Sequence, residues 1–318
     1  MGLGRLVSPV TAGALLLAGS AGAAEWHVPG QFPTIQAAID SSSVHDGDTI
    51  TVSSGRHKGA TVTKAITIRG SSGATIVGGP VVNAYGRAGF LFAGAGQGSG
   101  ATITSLHFLG VAFAVFSRGA DFVSVTDNDI RGVFQGVTNW ANGTWGKGWD
   151  ISRNTIGGLK ASCGGGIGVL VGDYAGGTVT DNLIANNTIE GPVRVRSDDC
   201  GNYNAPGVTL FADFRFPGDL GATIHNNRVT KNRVYVTSYE PALVTVSGVE
   251  LSDTRNLAAQ IVVWSNSVAY NDLRGMDVPV ALTPDELAAA NTFEGNLTGP
   301  LPDEPSRRLA GAAAAPIR

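Results

Sequence analysis

Sulfur is scarce in this sequence: 318 residues include two cysteines and two methionines. Two cysteines exclude a disulfide-dense scaffold and a zinc site of three or four cysteines. The five histidines (His27, His45, His57, His107, His225) fall without metal-ligand spacing, and no phosphate loop or Ser/His/Asp arrangement is present. Charge is also sparse, with 15% Asp, Glu, Lys and Arg and a net charge of −3. Lys and Arg are scattered rather than gathered in a basic stripe, so no nucleic-acid partner is expected. Beyond the first two dozen residues no apolar run reaches 18, which leaves no span for a membrane helix and predicts a soluble mature protein.

Those first residues carry a different signature. Arg5 supplies a positive start, Leu6 to Ala18 is a short apolar stretch, and Ala21-Gly-Ala23 offers small residues for cleavage. Residues 1–24 are therefore expected to be a secretory signal, 25–298 the folded domain and 299–318 a loose tail. Export to the extracellular space or periplasm follows, and a monomer is expected.

What the chain has in excess is glycine, 45 residues, interleaved with Val, Ile, Thr and Phe. A short phrase then repeats. It reads Asn182-Leu-Ile-Ala-Asn-Asn187-Thr-Ile, then Asn227-Arg-Val-Thr-Lys-Asn232-Arg-Val, then Asn266-Ser-Val-Ala-Tyr-Asn271-Asp-Leu. A frayed copy spans Asn291 to Asn296, and single copies sit at Asn128 and Asn154. A second phrase is locked to the first: Gly168-Val-Leu-Val-Gly-Asp173, Gly207-Val-Thr-Leu-Phe-Ala-Asp213 and Gly248-Val-Glu-Leu-Ser-Asp253. Short repeats rich in β-branched residues, broken by Gly and Asn, predict a solenoid of strands. Drift in the period means loops of unequal length between constant rungs. Asn at one corner of successive rungs can bond its own backbone and the Asn above and below, so Asn182, Asn187, Asn227, Asn232, Asn266 and Asn271 are expected to form a structural ladder.

Cys163 and Cys200 precede Gly168 and Gly207 at comparable positions in consecutive repeats. Rungs stack about 4.8 Å apart, within reach of a disulfide. A bridge between neighbouring rungs is expected, with two free thiols as the other reading.

Along the chain, Pro33 to Asp40 reads as a short amphipathic helix covering the open end of the solenoid. Strands are expected at Thr49–Val52, Ala65–Ile68, Ala74–Val77, Ala101–Phe108, Val123–Val125 and Trp149–Ile151. The segment Asn139 to Trp149, with three of the five tryptophans, reads as an excursion. Thr283-Pro-Asp-Glu286 has the order of a capping box opening a helix through Ala290.

The opening, Phe32-Pro-Thr-Ile-Gln-Ala-Ala-Ile-Asp40 followed by Asp46-Gly-Asp-Thr-Ile-Thr-Val52 and Gly55, resembles the start of the pectin-lyase-like superfamily. The resemblance implies an all-β, single-stranded right-handed parallel β-helix with a short N-terminal capping helix. It is nearly silent on function, since that scaffold hosts lyases, hydrolases, esterases, adhesins and inert spacers.

Two readings of function stay open. In one the protein is a non-catalytic polysaccharide-binding or structural envelope protein. In the other it is a lyase or hydrolase on an acidic, pectate-like glycan. The second would use Asp173, Asp213 and Asp253, spaced 40 residues apart, with Arg215 or Arg255. Acids stacked about 5 Å apart suit retaining glycosidases or a Ca²⁺ site that holds a uronate. The competing role is strand-end Asp residues capping turns and pairing with Arg. Asp198-Asp199-Cys200 resembles part of a polygalacturonase motif whose other elements are missing. Trp140 and Trp145 offer flat faces for sugar rings, whereas Trp149, beside a strand, is expected in the core.

Overall fold

The computed structural model describes residues 22–83, 86–162, 164–195, 201, 203–257 and 259–301. Cys163, Cys200, Asp198, Asp199 and the expected signal up to residue 21 lie outside the described residues, as does the tail beyond 301.

The chain winds as a right-handed parallel β-helix. Strands far apart in sequence pair in parallel along one ten-stranded sheet, from Glu25–Val28 and Thr49–Val52 to Ser267–Ala269 and Thr292–Glu294. A seven-stranded and a nine-stranded sheet form further faces, and a short four-stranded sheet begins at Trp145–Lys147. Successive coils differ widely in length. Thr49 pairs Thr67, only 18 residues on, while Leu183 pairs Arg228, 45 residues on. Part of the excess leaves at corners, and part builds the four-stranded sheet that the shorter early coils lack.

Side-chain stacking explains why so short a repeat suffices. In the ten-stranded sheet one inward column runs Trp26, Ile50, Ile68, Ile103, Val125, Ile151, Ile184, Val229, Val268 and Phe293. Each fully buried Val or Ile in it contributes about 1.5–3 kcal/mol. Helix Ile35–Asp40, capped by Thr34 Oγ1 on the Ala37 amide, buries Ile35, Ala38 and Ile39. It packs on the first strands and closes that end.

Two asparagine ladders hold the corners. One runs Asn128, Asn154, Asn187, Asn232, Asn271, Asn296, and the other Asn182, Asn227, Asn266, Asn291. In each step the amide oxygen of the next Asn accepts both the backbone and the side-chain N–H of the one before, at 2.8–3.1 Å. The residue preceding most ladder positions has positive φ, including Asp127, Arg153, Asp181, Asn186, Asn226, Lys231, Ser265 and Tyr270. This left-handed conformation is costly for most residues, and the stacked amides around it hold it in place.

Three local expectations are corrected. Residues 101–108 form two strands, Thr102–Thr104 and His107–Leu109, because Ser105 (φ 58) turns the chain at the ladder corner. The segment Asn139–Trp149 is no excursion. It finishes strand Gln135–Trp140, turns through Asn142 and Gly143, and forms strand Trp145–Lys147. Thr283 caps no helix: it ends strand Val280–Thr283, paired with Ser252, and helix Leu287–Ala290 starts later without a side-chain cap.

Candidate functional site

The nine-stranded sheet turns alternate residues outward, as strand geometry requires. One outward column runs Leu91, Phe116, Thr138, Leu170, Thr209, Glu250 and Ala281. The next runs Arg118, Trp140, Gly172, Phe211, Ser252 and Thr283. Above them lies an open cleft of about 680 Å³. It crosses six rungs, from Phe113 to Thr283, or about 24 Å of the solenoid axis.

Aromatic faces dominate the lining. Trp140 meets Tyr174 and Phe211 edge-on, at 5.6 and 6.3 Å between ring centres. Gly172 separates Trp140 from Phe211 in its column, and a Cβ there would lie 2.1 Å from the Phe211 carbonyl oxygen. The bare position lets the two rings approach each other, and the Arg215 guanidinium lies 5.0 Å from the Phe211 ring centre. Phe113, Phe116 and Phe134 extend the surface, and Phe216, 64% exposed, overhangs it. Gln135, Asn142, Asn204 and Thr209 add polar groups.

The three aspartates do not form one straight column. Each 40-residue period is a single coil, but Asp173 pairs Ala212 and Ala212 pairs Asp253. Asp173 and Asp253 are therefore two rungs apart, about 10 Å. Asp213 lies one residue further along, because Ala212 is an extra residue in the middle phrase. A one-residue slip reverses which face a side chain takes.

Their partners differ accordingly. Asp173 is fully buried and accepts the backbone N–H groups of Asn142, Gly143 and Gly177 at 2.8–2.9 Å. Asp253 is buried and bonded by Arg255, whose guanidinium also reaches Gln260 and lies 4.2 Å from the Phe214 ring centre. Of the three, only Asp213 lines the cleft. It forms a two-pronged pair with Arg215, Nε to Oδ1 and Nη2 to Oδ2, both 2.9 Å. Asp129–Arg131 and Asp272–Arg274 repeat the Asp-x-Arg pairing at other strand ends. No three His, Cys, Asp or Glu side chains converge on a cation among the described residues. The partners above also leave Asp173, Asp213 and Asp253 no common oxygen set for Ca²⁺.

Asp173→Asn is expected to cost about 1–3 kcal/mol, since one acceptor oxygen serving two buried amides becomes a donor. Chemical denaturation would measure it, with increased hydrogen exchange at Gly143 and Gly177 as the local sign.

The tryptophans separate. Trp140 lies in the cleft. Trp145, 48% exposed, is on the four-stranded sheet under Lys147, 4.8 Å from its ring centre. Trp149 is buried, and its indole N–H donates to the Ala120 carbonyl at 2.8 Å.

Tyr174, Phe211, Phe216 and Glu250 line the cleft without having been singled out from sequence. Glu250 is 4% exposed on the floor. Asn204 Nδ2 donates to its Oε1 and Thr209 Oγ1 to its Oε2, each at 3.0 Å. Burial pushes its carboxyl above the ordinary range, against smaller opposing pulls from Asn204, Thr209 and Arg215. The signal was in the second phrase: its outward position reads Leu170, Thr209, Glu250, an acid where the other copies have an apolar group or a hydroxyl.

With the geometry in hand, the chain can be set beside solved structures. It is similar to the alginate lyase from Paenibacillus sp. str. FPU-7, at 16% identity over 87% of this chain and 99% of that one, with a TM-score of 0.33. It is also similar to the pectin methylesterase PemA from Erwinia chrysanthemi, at 12% identity over 90% and 92%, with a TM-score of 0.46. A third is the catalytic domain of a GH87 alpha-1,3-glucanase, at 12% identity over 91% and 70%, with a TM-score of 0.33. Likeness at this level says nothing of activity. No family model and no curated protein matches the sequence. Among the described residues no helix is long and apolar enough to cross a membrane.

Proposed function

We propose that this is an exported protein whose cleft holds a polysaccharide chain without cleaving it. The observation that carries the reading is the row of aromatic faces, Trp140, Tyr174, Phe211 and Phe216, along an open cleft of several sugar units' length. Aromatic rings stack on the apolar faces of sugars at little entropic cost, and Gln135, Asn142 and Asn204 are placed to bond hydroxyls. Binding rather than cleavage is favoured because Asp173 and Asp253 have their oxygens taken by amides and Arg255, while Arg215, the candidate base, is held by Asp213. The signal-like residues 1–24 support export.

Calorimetric titration against a panel of soluble polysaccharides tests this. Trp140→Ala is expected to weaken binding about 10- to 100-fold, equivalent to ~1.5–3 kcal/mol for one aromatic contact. Trp145→Ala, off the cleft, is expected to leave affinity unchanged. Release of reducing or unsaturated ends from the bound glycan would sink the non-catalytic reading, and equal affinity in wild type and Trp140→Ala would remove the cleft from it.

A further inference from the structure

Resting on that reading of the cleft, we infer that its ligand is an uncharged glycan, and that Glu250 in its neutral form donates a hydrogen bond to a sugar hydroxyl.

The first support is the carboxyl's surroundings. Glu250 projects outward from strand Val244–Asp253, between Thr209 on one rung and Ala281 on the next. It is almost wholly removed from water, yet no cation bonds it among the described residues. The charged and titratable groups of the cleft near it are Asp213, Arg215 and Asp219, in the segment after strand Tyr203–Ala212, and Tyr203 at that strand's start. Strand Val280–Thr283 has no titratable side chain, and on Glu250's own strand the only other one, Asp253, is bonded by Arg255. Arg215 is the cation acting on Glu250, but Asp213 takes its Nε and Nη2. The pair thus keeps Arg215 from becoming the counterion that would ionise the acid. A buried carboxylate without a partner is strongly disfavoured, so the acid keeps its proton.

The second support is what that proton can reach. Asn204 and Thr209 both donate to the carboxyl, one to each oxygen. With the acid neutral, Thr209 Oγ1 and Glu250 Oε2 share one hydrogen bond between two O–H groups, in either direction, so the pair keeps one O–H for whatever fills the cleft.

The third is the charge of the lining. Among the described lining residues Arg118 and Arg215 equal Asp213 and Asp219 in number, so with Glu250 neutral these groups sum to no net charge. Beside Glu250 the guanidinium of Arg215 is held by Asp213, and Arg118 stands four rungs away along the sheet. Uncharged hydroxyls need neither.

pH dependence follows. The binding form is protonated, so affinity is level in acid and falls as pH rises through Glu250's elevated value, by up to about tenfold per pH unit. Folding shares the sign. Because the native carboxyl titrates above its unfolded value of 4.5, stability is full below that value and is lost as pH rises towards the native one.

The experiment is calorimetric titration of the full chain between about pH 5 and pH 9. Soluble β-glucan, xylan and galactomannan serve as uncharged probes, with polygalacturonate and alginate as acidic ones. Wild type is expected to bind an uncharged glycan with the falling profile. Glu250→Gln, which keeps a donor at every pH, is expected to bind with a flat profile and to melt above wild type in alkali but not in acid. Asp213→Asn, which frees Arg215, is expected to move the fall to lower pH. Preference for an acidic glycan, or a flat wild-type profile matched by Glu250→Gln, overturns this inference and leaves the polysaccharide reading standing. Absence of binding to every glycan at every pH overturns both.

Discussion

Asn227→Ala is expected to destabilise the protein by at least about 2 kcal/mol, the sum of two or three buried polar groups left without partners at ~1–3 kcal/mol each. Asn227 is fully buried in the middle of its ladder. Its amide oxygen accepts the backbone N–H and the side-chain N–H of Asn182, at 3.1 and 2.8 Å. Its own amide nitrogen donates to Asn266, Val179 and His225. Alanine removes all of these and orphans the Asn182 backbone N–H in a corner that water does not reach. Asn227→Asp is no rescue. It keeps the acceptor but turns a second oxygen toward the oxygens of Asn266 and Val179. At the ladder's last rung, Asn291 Oδ1 likewise accepts both N–H groups of Asn266, but this corner is only partly buried and water can replace part of what is lost, so Asn291→Ala is expected to cost less, about 1–2 kcal/mol. Guanidinium unfolding measures the difference. Because each coil leans only on its neighbours, faster hydrogen exchange is expected on the strands at residues 183–185 and 228–230, with little change at 49–52. A cost under 1 kcal/mol for Asn227→Ala would deny the ladder its structural role.

Trp149→Ala is the second large effect, at about 3–5 kcal/mol for a buried tryptophan truncated to alanine. The ring is fully enclosed, edge-on to Phe92 at 5.9 Å, and its N–H satisfies the Ala120 carbonyl. Its backbone N–H also donates to Asn182 Oδ1, the first step of the shorter ladder. The cavity therefore opens where core and ladder meet. Trp149→Phe keeps most of the volume but leaves the Ala120 carbonyl unpaired, and about 1–3 kcal/mol is expected. Thermal melts of the two variants would rank them. Equal loss in both would mean that the hydrogen bond, and not the packing, dominates.

The architecture was legible because a solenoid writes its cross-section into the sequence repeatedly. An Asn followed two residues later by an aliphatic marks a corner and the core-facing strand residue after it, as in Asn154 and Ile156 or Asn187 and Ile189. That there are two ladders was harder to see. Asn182 and Asn187 sit five residues apart in one phrase but occupy different corners, and only the register joins Asn128 and Asn154 to Asn187. The candidate site was less legible. Even spacing suggested an aspartate column, while the extra Ala212 between Leu210 and Asp213 shifts the middle acid by one position and moves it to the cleft. Trp140 and Trp145 are close in sequence yet take different faces, because Asn142 and Gly143, both at positive φ, turn the chain between two sheets. Glu250 escaped notice because nothing in a strand pattern says whether an outward position meets solvent or a cleft wall. Burial comes from Asn204, where strand Tyr203–Ala212 begins ahead of the repeated phrase, and from the segment after Ala212, neither of which the repeat encodes.

The central claim is that the outward face of the nine-stranded sheet is the glycan site. A crystal structure of the protein with an oligosaccharide of the glycan it binds in solution tests this most directly. Sugar rings are predicted over Trp140 and Phe211, with a hydroxyl against the Glu250 carboxyl. An oligosaccharide seated on the four-stranded sheet that carries Trp145, with the cleft left empty, would contradict it.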